Sequence, residues 1–343
     1  MMKQETRRKP ALLGTCVLLA ALGFAQGPEP GPQPDPPVPA PQEPDPADWQ
    51  EVTEVDGVAV ETVRSYFASG RLRRIFSQKA NVEGPPGHHG RAIQFHENGA
   101  RQLDCEWRQG RIEGVLREWH EGGSLRYESN YAAGQLDGLH REYTAGNKLI
   151  VEAHYEQGKL NGELHLWFPE GTNQEISHWN HGEQVGEHRV WQRGGVLLRK
   201  DQYIAGVKQG VCTEYHRLPG EPRKAYEGNY TDGLRDGVFE EWNEEGQPTG
   251  HREYRQGRQH GPMVRVQNGA TVLRTEYQDG VETGLREEFY LDGKPFAKGQ
   301  MLAGLRQGAW QYWNEDGSIN TNWSGVYKDG EKVAEWPQSG GGK

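Results

Sequence analysis

Cysteine is scarce in this sequence: 343 residues contain only Cys16, Cys105 and Cys212. Large apolar side chains are also few, since hydrophobic residues make up 34% of the chain and the mean hydropathy is -0.92. The length would hold two ordinary domains, but this composition is low for two compact hydrophobic cores. A sustained 3.6-residue apolar period is lacking as well, which argues against long amphipathic helices.

Catalytic signatures and basic charge are also missing. The sequence contains no G-x-S-x-G nucleophile elbow, no H-E-x-x-H zinc motif, no Walker A and no nucleotide-binding glycine loop between a strand and a helix. The formal net charge is -10, and removing residues 1–25, whose net charge is +3, leaves -13. An acidic body argues against nucleic-acid binding and against electrostatic docking on anionic lipid.

Glycine and aromatic residues, in contrast, are abundant. The chain has 47 Gly, 11 Trp, 14 Tyr and 8 Phe. Few aliphatics with many Gly, Trp and Tyr favour thin β-structure, in which aromatic rings cover the backbone and glycines form turns. One phrase shows their order most plainly: Gly114–Gly138 has the sequence GVLREWHEGGSLRYESNYAAGQLDG.

This phrase recurs about ten times with a step of 24 residues, interrupted by one step of 27 and one of 23. The opening glycines are Gly90, Gly114, Gly138, Gly162, Gly186, Gly210, Gly237, Gly261, Gly284 and Gly308. Five positions later come the first aromatic residues, with one valine among them: Phe95, Trp119, Tyr143, Trp167, Trp191, Tyr215, Trp242, Val266, Phe289 and Trp313. Seventeen positions after most openers come the second ones: Trp107, Tyr131, Tyr155, Trp179, Tyr203 and Tyr254, then Met301, with Tyr230 and Tyr277 displaced.

Each unit contains two strand-length segments, like Val115–His120 and Leu125–Tyr131, with turns at His120–Ser124 and Ala133–Gly138. The unit is therefore a β-hairpin. The array is predicted to be all-β: an elongated, single-layer, twisted antiparallel meander of about ten 24-residue repeats that grows by about 10 Å per repeat. We expect both aromatic residues of a unit to lie on one face, because a single-layer sheet needs a continuous apolar ladder.

The two cysteines of the array are predicted to remain separate thiols. Five repeats lie between Cys105 and Cys212, which corresponds to about 45–50 Å along such a ribbon. A disulfide needs Cα atoms within about 7 Å, so a bridge between them would contradict the extended array.

Residues 1–25 are predicted to be a signal peptide. A basic start precedes a twelve-residue apolar stretch, Ala11–Leu22, and small residues place the cleavage between Ala25 and Gln26. An uncleaved membrane anchor is the alternative, although a spanning helix needs about 20 apolar residues.

Four further segments complete the predicted organisation. Residues 26–50 are a Pro-rich linker, which we expect to be disordered and extended. Residues 51–89 are a degenerate capping repeat, residues 90–336 the repeat array, and residues 337–343 a disordered tail. An insertion at Leu218–Pro222 lengthens one hairpin tip by three residues.

The aromatic-to-glycine turn, the second aromatic-x-x-Gly and the closing Gly-x-x-x-Gly, as in Gly134–Gly138 and Gly158–Gly162, resemble the MORN repeat. The bacterial variant of that repeat, found in YwqK-type antitoxin components, is the closer likeness, and the resemblance covers roughly residues 61–333. It implies an elongated β-hairpin array that acts as a scaffold or a protein-binding surface. It offers no catalytic residue and no cofactor to carry over.

Three sets of side chains are candidate sites, and each has a simpler structural interpretation. A zinc site needs about four converging ligands, usually with cysteines, but His178 and His181 lie on either side of a predicted turn with neither Cys105 nor Cys212 nearby. The neighbouring His88 and His89 are interpreted as exposed loop residues. Recurring carboxylates keep a sheet face soluble more simply than they act on sugars. The aromatic ladder first holds the sheet together. No catalytic, cofactor-binding or metal residue is therefore assigned. The residues weighed are His88, His89, His178, His181 and His188, and Glu118, Glu142, Glu214, Glu241 and Glu288.

We therefore expect an exported, non-enzymatic repeat scaffold that binds another, unidentified protein at the cell envelope, in the periplasm or outside the cell. It would bind no nucleic acid and would not insert into a membrane after signal cleavage. An antitoxin or immunity protein that neutralises a toxin is the alternative, and carbohydrate or peptidoglycan binding is a third hypothesis. Function is expected where the repeat breaks, at Asn81–His89, Leu218–Pro222 and Val266.

Overall fold

The computed structural model describes residues 49, 51–80 and 87–336. The leader with its cleavage site at Ala25 and Gln26, most of the Pro-rich linker, the residues 81–86 of the first break and the C-terminal tail lie outside the described residues. In the described part, every regular element is a β-strand. No helix in these ranges has the length and apolarity that crossing a membrane requires.

Twenty-five strands follow one another along the residues that the structure describes. Strands β1 to β12 are Glu54–Val55, Val58–Tyr66, Leu72–Lys79, His88–Phe95, Arg101–Arg108, Arg111–Trp119, Leu125–Ala132, Gln135–Tyr143, Leu149–Glu156, Lys159–Trp167, Asn173–Asn180 and Glu183–Trp191. Strands β13 to β25 are Leu197–Ile204, Val207–Lys208, Gly210–Tyr215, Lys224–Thr231, Leu234–Trp242, Pro248–Arg255, Arg258–Gln267, Ala270–Gln278, Val281–Phe289, Pro295–Leu302, Leu305–Tyr312, Gly325–Lys328 and Glu331–Glu335.

Each strand pairs antiparallel with the strands before and after it in the chain. The pairing runs from β1 with β2, through β2 with β3 and β3 with β4, to β24 with β25. Strands β14 and β15 are one strand interrupted at Gln209, because both pair with β13. The sheet is therefore an open meander of successive hairpins, which confirms the predicted fold class.

The 24-residue unit consists of a nine-residue strand, a five-residue turn, an eight-residue strand and a two-residue turn. Around Gly114 these are β6, residues 120–124, β7 and the pair Ala133–Gly134. The φ angles of that pair are 50° and 82°, the type I′ geometry that matches the twist of a tight hairpin. The turn predicted at Ala133–Gly138 is thus too long, because β8 already begins at Gln135.

The opening glycines lie inside strands rather than in turns. In β8, Gly138 falls between Leu136 and His140, which pair with Tyr131 and Ser129, so β8 bulges by two extra residues. Its φ is +105°, and a Cβ there would lie 3.2 Å from the Cβ of Asn130. The left-handed backbone and the close approach of the preceding strand both favour glycine here.

Two irregular steps in the repeat have direct structural causes. The insertion Leu218–Pro222 lengthens the turn between β15 and β16 to residues 216–223, three more than in the standard turn, as predicted. At Val266 the five-residue turn is replaced by the pair Asn268–Gly269, with φ angles of 52° and 78°. Strand β19 is correspondingly extended to ten residues. The second change makes that unit one residue shorter.

The two aromatic residues of a unit lie on opposite faces, so the prediction of one shared aromatic face was wrong. Tyr131 pairs directly with Gly114 and shares its face, whereas Trp119 is five residues further along β6 and alternation places it on the other face. In the first unit, Phe95 and Trp107 accordingly pack in two different clusters of apolar side chains. The sheet therefore carries two ladders instead of one.

Clusters of buried apolar side chains lie towards the two ends of the described array. The C-terminal cluster is formed by Ala297, Met301, Trp310, Tyr312 and Tyr327. At the N-terminal end, Phe76, Ala92, Cys105 and Leu116 pack on one face, and Ile75, Ile93 and Phe95 with Trp49 on the other. Cys105 and Cys212 are both buried free thiols, as predicted.

Candidate functional site

One face of the sheet, named here the tyrosine face, carries the second aromatic residue of each unit. Those rings pack against the residue two positions after an opening glycine. The ring of His140 lies 6.1 Å from that of Tyr127 and 6.0 Å from that of Tyr155. The ring of Phe239 similarly lies 4.9 Å from that of Tyr254. Because these contacts pass from one unit to the next, the tyrosine face holds neighbouring repeats together.

Large side chains of this ladder face small residues on the preceding strand. Phe239 pairs with Gly228, and a Cβ at Gly228 would lie only 1.9 Å from its ring. A Cβ at Gly299 would lie 2.2 Å from the ring of Trp310. Glycine is required at these two positions because the neighbouring ring occupies the space of a side chain, and not because of turn geometry. Two milder pairs are Ser129 with His140 and Ala153 with Leu164.

In the middle of the array, charged residues replace the apolar ladder. Asp201 is 1% exposed, and its carboxylate lies 2.7 Å from Nε of Arg199 and 3.1 Å from Nζ of Lys208. His188 is also buried, with Nε2 3.3 Å from Oε1 of Glu175. The close contact with His188 is the main cause that lowers the pKa of Glu175 below its usual value. The buried charges are thus paired, as low-dielectric surroundings require.

The opposite face, named here the paired-charge face, carries the first aromatic residues and a row of cross-strand polar pairs. Arg141 stands opposite Glu152, with Nε 2.7 Å from Oε2. In the C-terminal half the signs are exchanged, since Glu287 stands opposite Lys298 at 2.9 Å. Opposite charges thus stand across from each other in both halves, although the strand that carries the positive charge differs. Other pairs are Arg117 with Glu128, Thr213 with Glu227 and Glu240 with His251.

Along the edge of the five-residue turns, the residue after the first aromatic ties one unit to the next. Nε2 of His96 lies 2.9 Å from the carbonyl oxygen of Trp119, and Nε2 of His120 lies 3.1 Å from that of Tyr143. The hydroxyl of Tyr290 makes the same contact further along. Sequence reasoning missed these ties, although a histidine directly after an aromatic residue recurs at 96, 120 and 216.

The edge of the two-residue turns changes from polar to apolar halfway along the array. From β5 to β12, the residues flanking these turns are Arg108, Arg111, Ala132, Gln135, Glu156, Lys159, Asn180 and Glu183. From β13 onward, six flanking positions hold large apolar side chains that are 42% to 65% exposed. We name these six the apolar turn row: Ile204, Val207, Leu234, Val281, Leu302 and Leu305.

Members of the apolar turn row lie over the glycine of the following turn. A Cβ at Gly233 would be 3.2 Å from Cγ1 of Val207, and one at Gly257 would be 3.4 Å from Cδ2 of Leu234. Because glycine has no side chain, the following turn leaves room for these two apolar side chains.

Charged residues interrupt the apolar turn row between Leu234 and Val281. Arg255 and Arg258 flank the turn there. With Leu234 they line an open cavity of about 500 Å³ that also contains carboxylates. Its remaining lining residues are Thr231, Asp232, Asp236, Gln256 and Asp279. The row thus combines exposed apolar side chains with both signs of charge.

A family model described as "MORN repeat variant" matches residues 112–133. These residues run from near the start of β6 through β7 to the two-residue turn that follows it. Residues 112–133 are thus similar to a MORN repeat variant. Most of the other units share the strand and turn lengths of this segment, so they repeat the same hairpin.

Comparison with individual proteins adds little to this family match. No curated protein matches the chain. Among solved structures, it is similar to one described as "Crystal Structure of TcdB2-TccC3-TEV", with 11% identity over 76% of this chain. The chain spans only 19% of the length of that protein, and the TM-score is 0.16, too low to support an argument about fold or function.

Two of the histidines weighed from sequence lie in strands and are buried. His89 is 2% exposed, lies 3.0 Å from the carbonyl oxygen of Val55, and accepts the main-chain N–H of Gln109. His188 is buried on the tyrosine face. The loop interpretation of His88 and His89 was therefore wrong, because both lie in β4. As they stand, no three His, Cys, Asp or Glu side chains of the described residues are in position to hold one metal ion.

Four of the five recurring carboxylates are engaged in ion pairs near the tyrosine face; for Glu214 no ion pair is described. Oε1 of Glu142 lies 3.0 Å from Nε2 of His140, and Oε1 of Glu288 lies 2.7 Å from Nε of Arg286. Glu118 pairs with Arg126 and Glu241 with Arg252. Their neighbours thus account for these carboxylates structurally.

Several first aromatic rings are covered by side chains of the chain itself. The ring of Trp167 stacks on that of His165 with centroids 3.6 Å apart. Arg101 lies over the ring of Trp119, and Lys224 over that of Trp242. A sugar ring would have to displace these partners or use the opposite ring face.

Proposed function

We propose that the chain is a protein-binding scaffold and that its partner docks on the apolar turn row. The MORN-type units supply the scaffold, and repeats of this kind serve as binding motifs. One observation carries the proposal: large exposed apolar side chains occupy six turn flanks of the C-terminal half, while the equivalent positions from β5 to β12 hold polar residues and one alanine. Contiguous exposed apolar side chains with a polar rim are typical of protein interfaces.

Arg255 and Arg258 give this surface a means of selecting its partner. They lie in the same cavity as Asp232, Asp236 and Asp279, so a partner needs both apolar side chains and matching charges. The leader-like residues 1–25 support a location at the cell envelope or outside the cell. An antitoxin role would use the same row, with a toxin as the partner.

The test replaces row members by the residues found at equivalent positions in the N-terminal half. A Val207→Lys/Leu234→Gln variant copies Lys159 and Gln135, and Gln135→Lys is the matched control. Cross-linking in the envelope fraction and mass spectrometry identify the partner, and titration with the purified partner measures affinity. We expect the row variant to lose at least about 10-fold, since interface anchors contribute more than about 1 kcal/mol each, and the control to bind normally. A folded row variant with wild-type affinity would refute the proposed surface.

A further inference from the structure

The tyrosine face contains a cavity of about 120 Å³ at its N-terminal end. Its floor is formed by Ala92, Cys105 and Leu116, which are 2% to 6% exposed. His88 and Trp107 stand at its side, with ring centroids 5.0 Å apart. Both of these rings are half-buried, so the cavity opens on the face of the sheet.

The cavity exists because one large side chain of the ladder is replaced by a small one. The position two residues after the opening glycine holds a large side chain in most other units, but alanine, Ala92, in the first. Its partner on the next strand, Cys105, is small as well. Elsewhere on this face a large side chain covers a small one on the preceding strand. Two small side chains in succession therefore leave the space of a missing large one. Large residues at the equivalent position include Leu164, Phe239 and Trp310.

Three polar side chains of the cavity lining can each donate a hydrogen bond. The guanidinium of Arg74 lies over the ring of Phe76, 4.4 Å from its centroid. Gln94 stands opposite Arg74 on the next strand. Nδ1 of His88 is buried and has no hydrogen-bond partner among the described residues. A buried polar atom without a partner costs free energy, which a bound polar group would recover.

The charge of the lining is positive. Of the described residues that line the cavity, none is acidic. Burial is the main cause that lowers the pKa of His88, and Arg74 lowers it further, so the imidazole is neutral at pH 7. Burial also raises the pKa of the Cys105 thiol to about 11, so the thiol is neutral as well. Arg74 therefore meets no opposing charge in the lining, and an anionic group is the match for it.

We propose that this cavity binds a small aromatic carboxylic acid. A single ring suits the volume, because an apolar cavity of about 150 Å³ accommodates benzene. Phe76, His88 and Trp107 offer ring edges and faces to such a ligand. The carboxylate pairs with Arg74 beside the ring of Phe76. The apolar turn row begins only at β13, so this site is separate from the proposed protein-docking surface.

The test is a ligand-observed NMR titration of the full chain with phenylacetate, compared with phenylacetamide as a neutral probe of nearly the same shape. We expect saturable phenylacetate binding with a Kd of about 1 mM or below, as suits a ligand of this size. Phenylacetamide should bind about 10-fold more weakly, because it lacks the charge that pairs with Arg74. In Arg74→Gln, the affinity for phenylacetate should fall by about the same factor, whereas the affinity for phenylacetamide should stay nearly unchanged.

Ala92→Leu tests the cavity itself, because it restores a large side chain at this position and fills the space. We expect it to weaken phenylacetate binding at least about 10-fold while the protein stays folded by circular dichroism. His140→Leu is the matched control, since it places leucine at the equivalent position of another unit, outside the cavity. That variant should bind phenylacetate like the wild type.

Absence of saturable binding up to about 10 mM phenylacetate would refute the proposal. Equal affinities of the wild type and a folded Ala92→Leu variant would refute the location in this cavity. Phenylacetamide bound as tightly as phenylacetate, or equal losses for both probes in Arg74→Gln, would refute the assignment of an acid. If Ala92→Leu does not fold, the two probes on Arg74→Gln still decide. None of these results depends on the apolar turn row.

Discussion

At the residue scale, glycine occupies three kinds of position, each with its own physical cause. Gly134 completes a type I′ turn, and Gly138 sits in a bulge with left-handed backbone. Gly228 and Gly299 differ from both, because each lies under a buried ring and has ordinary backbone geometry. Phe239 and Trp310, the rings above them, are each 1% exposed. Repeat-to-repeat packing therefore depends on matched residue sizes as well as on periodic aromatics.

Gly228→Ala tests this size matching. The added methyl would overlap the ring of Phe239, so the ring or the backbone must shift. Overpacking of this kind lowers stability by about 1–3 kcal/mol, and we expect the upper part of that range here. The free energy of unfolding in urea measures the effect.

Gly122→Ala is the control for Gly228→Ala, because a Cβ at Gly122 would meet no atom within 4 Å. We expect a change within about 0.5 kcal/mol there. In the Gly228→Ala background, Phe239→Leu should restore part of the lost stability by making room for the methyl. Equal effects of Gly228→Ala and Gly122→Ala would show that the contact with Phe239 is not tight.

At the element scale, the hairpin was predictable from sequence while its faces were not. Turn glycines and strand-forming residues alternate with a fixed period, and this local pattern defines strands and turns. The face on which each ring lies depends on the register of the strands. The pairing of Tyr131 with Gly114 is part of a register that includes a two-residue turn and a bulge, and the sequence alone does not predict either. One misjudged turn length is enough to exchange the faces.

The candidate sites show the same dependence on register. Proximity in sequence groups His178 with His181 and His188, but the cross-strand partner of His178 is Glu163. The apolar turn row was overlooked because the sequence does not show which residues are exposed. Leu234 and Leu305 remain exposed because the glycine of the following turn has no side chain to cover them. The breaks at Leu218–Pro222 and Val266 proved to be changes of turn length.

The paired-charge face offers a test that keeps composition constant. Arg141→Glu would place two carboxylates opposite each other, and Glu152→Arg would place two cations there. We expect each single change to destabilise by about 0.5 kcal/mol, because the pair is partly exposed and screened by solvent. The double exchange should restore most of the lost stability, because it recreates an opposite-charge pair. Glu287 and Lys298 already form such a pair with the signs in this reversed order. Additive losses in the double variant, measured by urea unfolding, would contradict the pairing.

At the scale of the whole molecule, each described strand contacts mainly its neighbours in the chain, so stability is close to a sum over units and interfaces. Deletion of Gly138–Asn161 removes one complete 24-residue period and joins Asp137 to Gly162. Leu164 then takes the place of His140 opposite Ser129, a small residue facing a larger one as before. We expect a folded protein whose maximum dimension in small-angle scattering is shorter by about 10 Å, two strand spacings.

A second deletion of equal length separates additive stability from size matching. Removal of Gly284–Gln307 also takes out 24 residues, but it eliminates Gly299 and brings Trp310 over the strand that carries Thr275. Since even a Cβ at Gly299 would lie 2.2 Å from the Trp310 ring, Thr275 cannot accept that ring without rearrangement. We expect this variant to unfold at a clearly lower temperature than the Gly138–Asn161 deletion, and Thr275→Gly to recover part of the difference. Equal unfolding temperatures for the two deletions would mean that any repeat can pack on any other. The size-matched pairs on the tyrosine face would then contribute nothing to the order of the units.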